Sequence, residues 1–380
     1  MPAPHSQSDE RRLAELEQLV RDFGADPDAE LGMRIRELLH TSLKLIGDEA
    51  DLGEVKLISR ALKELRYALK VFRRYRHVPK VSIFGSARTR EDAPAYQAAL
   101  AFSKNMAGQG WMVITGAGDG IMRAGHGGAG REASFGVAIR LPFETNANDY
   151  IVGDPKLITF RYFFTRKLVF IWQSHAIVLF PGGFGTHDEG YEALTLIQTG
   201  KAPLQPVVMV DQPGGNYWRH WDAYVRAQLL ATGMISPADL SLYHVTDDAE
   251  EAARHVLHFY RNYHSQRFVD DDMVLRIARP LTPAQLDTLN GEFADLVVSG
   301  HITQGDAEPP EDEYLDLPRL RWTFTRRDYG RLRQMIDRIN DFDAETNPDA
   351  PRTPHLTVPP NTLSPAGPTT GGENSGNELS

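Results

Sequence analysis

The sequence predicts an α/β fold, a doubly wound parallel sheet with a helical N-terminal extension and a small C-terminal α+β appendage. Three observations predict it. Runs such as "KVSIF", "MVIT" and "AIVLF" are almost continuously apolar, as strands covered on both faces must be. Between residues 80 and 264 such runs alternate with helix-period stretches, the rhythm of βα units. Residues 10 to 75 show helical periodicity alone.

In the extension, Leu13, Leu16, Leu19 and Val20, then Leu31, Ile35, Leu38 and Leu39, recur at threes and fours. Three helices are expected, separated by "GADPDAE" and "IGDEADLGE". The basic stretch "RALKELRYALKVFRRYRHVPK" keeps Leu62, Leu65, Leu69 and Phe72 at helical spacing. It reads as a surface helix whose Arg73, Arg74 and Arg76 lie near the C-terminal end, where cations suit the helix dipole.

"KVSIFGSAR" then reads as a strand, "EDAPAYQAALAFSKNMAGQG" as a helix, and "WMVITGAGDGIMRAGHGGA" as strand, turn and helix. "SFGVAIRLPFE" is a strand, "TFRYFFTRKLVFIWQS" a helix, "HAIVLFPGG" a strand and "EGYEALTLIQTGK" a helix. "QPVVMVDQ", "YWRHWDAYVRAQLLATG", "LYHVTD" and "DAEEAARHVLHFYRNY" repeat the alternation. Further on, "MVLRIARPLTPAQLDTLNGEFADLVVSG" and "LPRLRWTFTRRDYGRLRQMIDRIND" each read as strand then helix, around the acidic loop "GDAEPPEDEYLD". The expected organisation is therefore 1–79 helical extension, 80–264 main domain, 265–342 appendage and 343–380 a tail too polar to fold.

Composition narrows the function. At 380 residues and 41% hydrophobic, the chain can build a large core. It has no cysteine, which excludes disulfides, thiolate metal sites and a thiol nucleophile. The net charge of −10 disfavours non-specific nucleic-acid binding, where phosphate contacts dominate. No run of about 18 apolar residues is present, and the N-terminus is a polar leader into a helix, so a cytoplasmic protein without a membrane span is expected. The 13 histidines are scattered, and no metal cluster is read from them.

Three glycine-rich turns follow three strands: Gly85-Ser86, Gly116-Ala117-Gly118-Asp119-Gly120 and Gly182-Gly183-Phe184-Gly185-Thr186. In a parallel sheet they share one edge, with helix N-termini behind them, a combination that binds phosphate. "GAGDGIM" has the wrong spacing for a dinucleotide fingerprint and Arg140 near where an acidic residue is needed; no Gly-Lys-Ser/Thr is present for a P-loop. Thr186 to Glu189 also fits a capping box, Thr at the N-cap and Glu at N3, which would make Glu189 structural. Upstream, Arg166 shares a helix face with Phe163, Val169 and Phe170. A guanidinium there needs an anionic partner, a ligand, or a path to solvent along its own stem.

Together, "TGAGDGIMRAG", "FFTRK" and "PGGFGTHDE" resemble the LOG family, often labelled lysine decarboxylase-like, over about residues 80 to 260. The resemblance implies a Rossmann-like fold, a homodimer, and a phosphoribohydrolase that releases a free base and ribose 5-phosphate from a nucleoside 5′-monophosphate. By position, Arg166 and Glu189 match the catalytic pair. Lys167, Gly182, Gly183, Phe184, Gly185, Thr186, His187, Asp188 and Thr195 match substrate contacts, joined by Gly85, Ser86, Gly116 and Gly118 as phosphate-turn residues. No cofactor or metal is implied, and no lysine sits in a recognisable pyridoxal-phosphate context. Ala117, Asp119 and Arg123 depart from the family's turn, and Asp119 would repel phosphate unless it faces away. At the first turn of a helix, Glu189 is expected to be held ionised by the dipole and to act as base or electrostatic group, not as acid. The competing readings are a carrier or sensor of the same fold, as in molybdenum-cofactor carriers, and single-strand DNA handling, which the net charge disfavours. Base specificity is expected from the Gly85–Arg88 turn, the segment "LPFETNANDY" and a dimer partner.

Overall fold

The computed structural model describes residues 4–140 and 147–348. By contact the chain divides into two units, Met1–Arg66 and Tyr67–Ser380. The first holds α1 (Pro4–Asp22), α2 (Glu30–Gly47) and most of α3 (Leu52–Phe72). Within it α1 and α2 pack together, with Leu16 and Val20 buried and an Arg36–Glu17 ion pair between the helices.

The second unit is built on a seven-stranded sheet. Its strands are β1 (Lys80–Phe84), β2 (Met112–Thr115), β3 (Ser134–Ile139), β4 (Leu157–Phe160), β5 (Ala176–Leu179), β6 (Val207–Val210) and β7 (Tyr243–Thr246). Their order is β4-β3-β2-β1-β5-β6-β7, and every pair is parallel. The Rossmann-like, doubly wound expectation is met. Helices α4 (Pro94–Gly108), α5 (Ile121–Ala129), α6 (Phe163–Gln173), α7 (Phe184–Gln198), α8 (Tyr217–Tyr224) and α9 (Ala249–Phe259) form the connections. All residues of β1, β2, β5 and β6 are buried. Each buried Val, Ile, Leu or Phe contributes roughly 1.5–3 kcal/mol, so these strands anchor the fold. Pro94 at the start of α4 and the Asp248 carboxylate, which accepts from the Glu250 and Glu251 amides at the start of α9, fix two helix N-termini.

A second sheet, antiparallel, has the order β10-β11-β9-β8, with β8 (Tyr263–Val269), β9 (Asp272–Ile277), β10 (Thr303–Gly305) and β11 (Arg319–Thr323). Helices α10 (Pro283–Glu292) and α11 (Tyr329–Thr346) accompany it. Its buried ionic groups are paired: Glu311 meets Arg276 at 2.8 Å and Arg319 at 3.1 Å.

Several boundaries differ from the sequence reading. Thr159 and Phe160, assigned to the helix before Arg166, belong to β4, because pairing with β3 overrides their local pattern. The helix after residue 248 ends at Phe259, and Tyr263 starts β8, a strand the helical pattern concealed. α7 begins at Phe184, five residues earlier than expected. α8 passes into a π-helical turn, Val225–Leu230. Residues 141–146 of "LPFETNANDY" and residues 349–380 of the expected disordered tail lie outside the described residues, while α11 runs to Thr346. No helix among the described residues is long and apolar enough to cross a membrane.

Candidate functional site

The sheet reverses its winding between β1 and β5, and in such sheets the crevice for a ligand opens at the carboxyl ends of those two strands. The backbone closes this point tightly. The Phe180 amide donates to Phe84 O at 2.8 Å, Ser86 N to Pro181 O at 3.1 Å, and Ile121 N to Ser86 O at 3.0 Å. The three glycine-rich turns are thereby drawn to one edge, around a cavity of about 600 Å³.

Among the expected site residues, Gly85, Ser86, Gly116, Arg166, Gly183, Phe184, Gly185, Thr186, Asp188 and Glu189 line the cavity. Gly118, Lys167, Gly182, His187 and Thr195 do not line it. Thr195 is exposed further along α7. Lys167 bridges Asp188 at 2.8 Å and Glu192 at 2.7 Å, tying α6 to α7. Burial works against its charge, but the two carboxylates raise its pKa overall. His187 lies 2.6 Å from the Tyr217 hydroxyl, which donates to Gly182 O at 2.6 Å. That hydroxyl has one proton, so His187 is the donor to it, and α8 braces the Pro-Gly-Gly turn from behind. Gly182 is required by packing: a Cβ there would sit 2.1 Å from Thr186 Oγ1 and 3.0 Å from Ser86 N.

The capping-box reading is overturned. Gly183 is the N-cap of α7 and makes no side-chain cap bond, which places Thr186 inside the first turn and Glu189 in the second. The Thr186 amide turns back to Gly183 O at 3.0 Å. The Phe184 and Gly185 amides precede the first intrahelical bond, and both residues line the cavity.

Glu189 also departs from expectation. It is 6% exposed, and its Oε2 has no hydrogen-bond partner among the described residues. Burial pushes its pKa up to about 7, although Arg166 and Lys167 pull it down. Desolvation thus outweighs the helix dipole, which weakens beyond the first turn. Arg166 is held in place, its Nε donating to Val137 O at 2.9 Å and its guanidinium lying 5.1 Å from the centre of the Phe170 ring. The second glycine turn approaches it closely, since a Cβ on Gly116 would lie 2.6 Å from Arg166 Nη2.

Asp119 is harmless to an anion. Its side chain is exposed, does not line the cavity, and lies 3.9 Å from Arg123. Arg123 in turn reaches Glu91 at 3.1 Å and Asp149 at 3.2 Å. Ala117 sits at φ +66°, where a glycine is more comfortable. Its carbonyl accepts from Asn148 N and Nδ2, and Asn148 contacts His126, which also meets Thr115 and Phe135 O. This buried network fixes the turn, and burial lowers the His126 pKa. Arg88, in the turn expected to set base specificity, lines the cavity, as do Met122 and Phe163, which were not singled out as contacts. The supports Tyr217 and Asn148 carried no local signal, because they come from remote segments.

Comparison with known proteins identifies relatives of the chain. The family model described as "Possible lysine decarboxylase" matches residues 118–256. A cytokinin riboside 5′-monophosphate phosphoribohydrolase of Mycobacterium tuberculosis is 30% identical over 155 residues, covering 39% of this chain and 78% of that protein. Among solved structures, the molybdenum cofactor carrier protein of Chlamydomonas reinhardtii aligns with 22% identity and a TM-score of 0.34, over 47% of this chain and 96% of its own. DNA processing protein A of Helicobacter pylori aligns with 14% identity and a TM-score of 0.30, over 42% and 74%. With the sequence match to the tuberculosis enzyme spanning more than three quarters of that protein, the chain belongs to the LOG family, the group described as possible lysine decarboxylases.

Proposed function

We propose that this chain is a phosphoribohydrolase that cleaves the N-glycosidic bond of a nucleoside 5′-monophosphate, giving a free base and ribose 5-phosphate. One observation carries the reading: a buried carboxylate, Glu189, with an unpartnered oxygen, stands in the wall of a cavity opened by a helix N-terminus. A simple phosphate carrier has no use for such a group, because an anionic ligand is repelled by it. The related tuberculosis protein is named for this reaction on cytokinin riboside 5′-monophosphate, which supports the class of substrate.

In this mechanism the Phe184 and Gly185 amides and the Thr186 hydroxyl hold the 5′-phosphate. That grip lies away from the reacting bond and positions it. Arg166, fixed by Val137 O, sets the nucleotide's orientation and balances its charge. As the C1′–N bond breaks, its electron pair leaves with the base and positive charge grows on the sugar. Glu189 in its ionised form stabilises that charge and takes a proton from the water whose oxygen bonds to C1′. The departing base is protonated from solvent. A pKa near 7 makes Glu189 a stronger base than an ordinary carboxylate, so the rate rises with pH through about 7. Lys167 and Asp188, paired to each other, act as positioning groups between α6 and α7. We place the enzyme in the cytoplasm as a homodimer. The exposed Phe163 and Phe184, which line the cavity, and the exposed Phe164 next in the chain support a partner surface there.

The test is a panel of nucleoside 5′-monophosphates with released base read by chromatography. Base release from one or a few of them is expected, and Glu189→Gln should lower turnover by about 10²–10⁴-fold with the fold intact. Unchanged turnover in the variant removes Glu189 from the chemistry. Tight nucleotide binding with no release from any substrate would make the chain a carrier or sensor.

A further inference from the structure

A second cavity, of about 400 Å³, lies where β7, α9 and α11 meet, and it shares no lining residue with the first. His244 from β7, Arg254, His255 and His258 from α9, and Arg261 just beyond it line the wall, with Glu251 as the lining carboxylate among the described residues. Residues 251, 254, 255 and 258 are three and four apart, so one face of α9 presents them together.

The histidines are arranged under tension. The His244 and His255 rings stack with centroids 4.3 Å apart and planes within 7°. Arg333 from α11, itself buried, places Nη2 3.0 Å from His255 Nε2. A guanidinium only donates, so Nε2 accepts and His255 is neutral. Burial, then the charges of Arg333, His244 and His258, hold its pKa far below the usual imidazole value. The flanking basic side chains have carboxylate partners: Glu251 at 2.9 Å from His244, Asp341 at 2.9 Å from His258, Asp343 at 3.0 Å from Arg261 and Asp337 at 2.9 Å from Arg333. Arg254 is held loosely, with Asp248 at 3.7 Å and Glu250 at 3.8 Å, and can turn to another anion.

We propose that this cavity is a second anion site, for a small phosphorylated ligand. Guanidinium and imidazole donors are the groups that recognise phosphate oxygens. Arg254, the most loosely held of them, can turn to the ligand, and the neutral His255, with Nε2 accepting from Arg333, keeps its Nδ1–H as a donor. Glu251 is paired with His244 at 2.9 Å, which reduces its repulsion of an anion. The reaction proposed above uses none of these residues, so the two readings stand or fall separately.

Inorganic phosphate is the probe, measured by equilibrium dialysis with the full chain at one neutral pH. If both cavities bind it, the wild type should take up about two equivalents, and Arg254→Ala/His258→Gln about one. A single equivalent abolished by this double variant also upholds the second site, while removing phosphate from the first. An uptake unchanged by the double variant overturns the proposal. Titration of the wild type with phosphate, followed by the imidazole proton resonances, needs no variant: shifts of the His255 and His258 signals are expected, and none moving refutes the site.

Discussion

Of the three glycine-rich turns around the first cavity, the second and third use glycine differently. At Gly116–Gly120 the protein itself fills the space: a Cβ on Gly116 would strike Arg166 and Met122, and Gly120, at φ +60°, would strike Ser86 O at 2.2 Å. At Gly183 and Gly185 a Cβ would meet nothing within 4 Å, and neither residue has positive φ. The fold does not need those two glycines. The comparison teaches that one turn is shaped to pack and the other to leave its backbone amides open to an incoming group. Glu189 extends the contrast, since the helix opened by the second turn carries a buried carboxylate that folding alone disfavours.

The largest effect expected from that contrast is on stability against pH. Glu189 shifts from 4.5 to about 7 on folding. Between those values the folded chain holds a proton that the unfolded chain has lost, so stability falls as pH rises through this window and is level above it. The loss is on the order of 3 kcal/mol. Glu189→Gln should remove that slope and, above pH 7, melt later than the wild type. Denaturant melts at pH 5 and pH 8 measure both, and equal slopes for the two proteins would show that the carboxylate is not strained.

Next in size, Gly182→Ala should destabilise by roughly 1–3 kcal/mol through overpacking against Thr186 and Ser86. Gly183→Ala and Gly185→Ala should change stability by less than about 1 kcal/mol, with Gly185→Ala tending to strengthen the helix. Both should nevertheless raise KM about tenfold by crowding the phosphate, on the reading that the site stabilises it by hydrogen bonds worth about 1.4 kcal/mol. A loss of stability equal to that of Gly182→Ala would show that Gly183 and Gly185 are required by packing as Gly182 is.

Tyr217→Phe removes the donor to Gly182 O and the partner of His187. A cost of about 1 kcal/mol is expected, with KM rising more than kcat falls, because the brace positions the phosphate turn and not the reacting bond. The smallest effect concerns the packed turn. Ala117→Gly relieves the left-handed φ but gives up one buried methyl group, two terms of about 1 kcal/mol with opposite sign. Its net change should be below about 0.5 kcal/mol with activity within about twofold, which thermal melts and steady-state rates would show.

Much of this was legible beforehand in particular residues. The apolar runs announced β1, β2, β5 and β6, because strands covered on both faces need no polar alternation. The Arg166 face was read correctly from spacing alone, as its stacking on Phe170 shows. By contrast, β4 and β8 were hidden, since Thr159-Phe160 and Tyr263 continue helical patterns locally and become strand only through partners in β3 and β9. Asp119 was a concern that its pairing with Arg123 removed. Val169, Phe170 and Ile171 of α6 and Ala193 and Ile197 of α7 are buried within the chain.

What the sequence by itself determined is the alternation of strands and helices, the three turns after three strands, and the residue types those turns carry. These depend on near neighbours and on burial period, which a linear pattern records. The tertiary structure alone decided the rest. It set the start of α7 at Phe184, so that Glu189 left the reach of the helix dipole. It buried that carboxylate and raised its pKa, engaged Lys167 with Asp188 and Glu192, and gathered the His244–His255–Arg333 cluster from three elements. Desolvation and charge pairing depend on which surfaces meet, and residues far apart in the chain have no local signal for meeting.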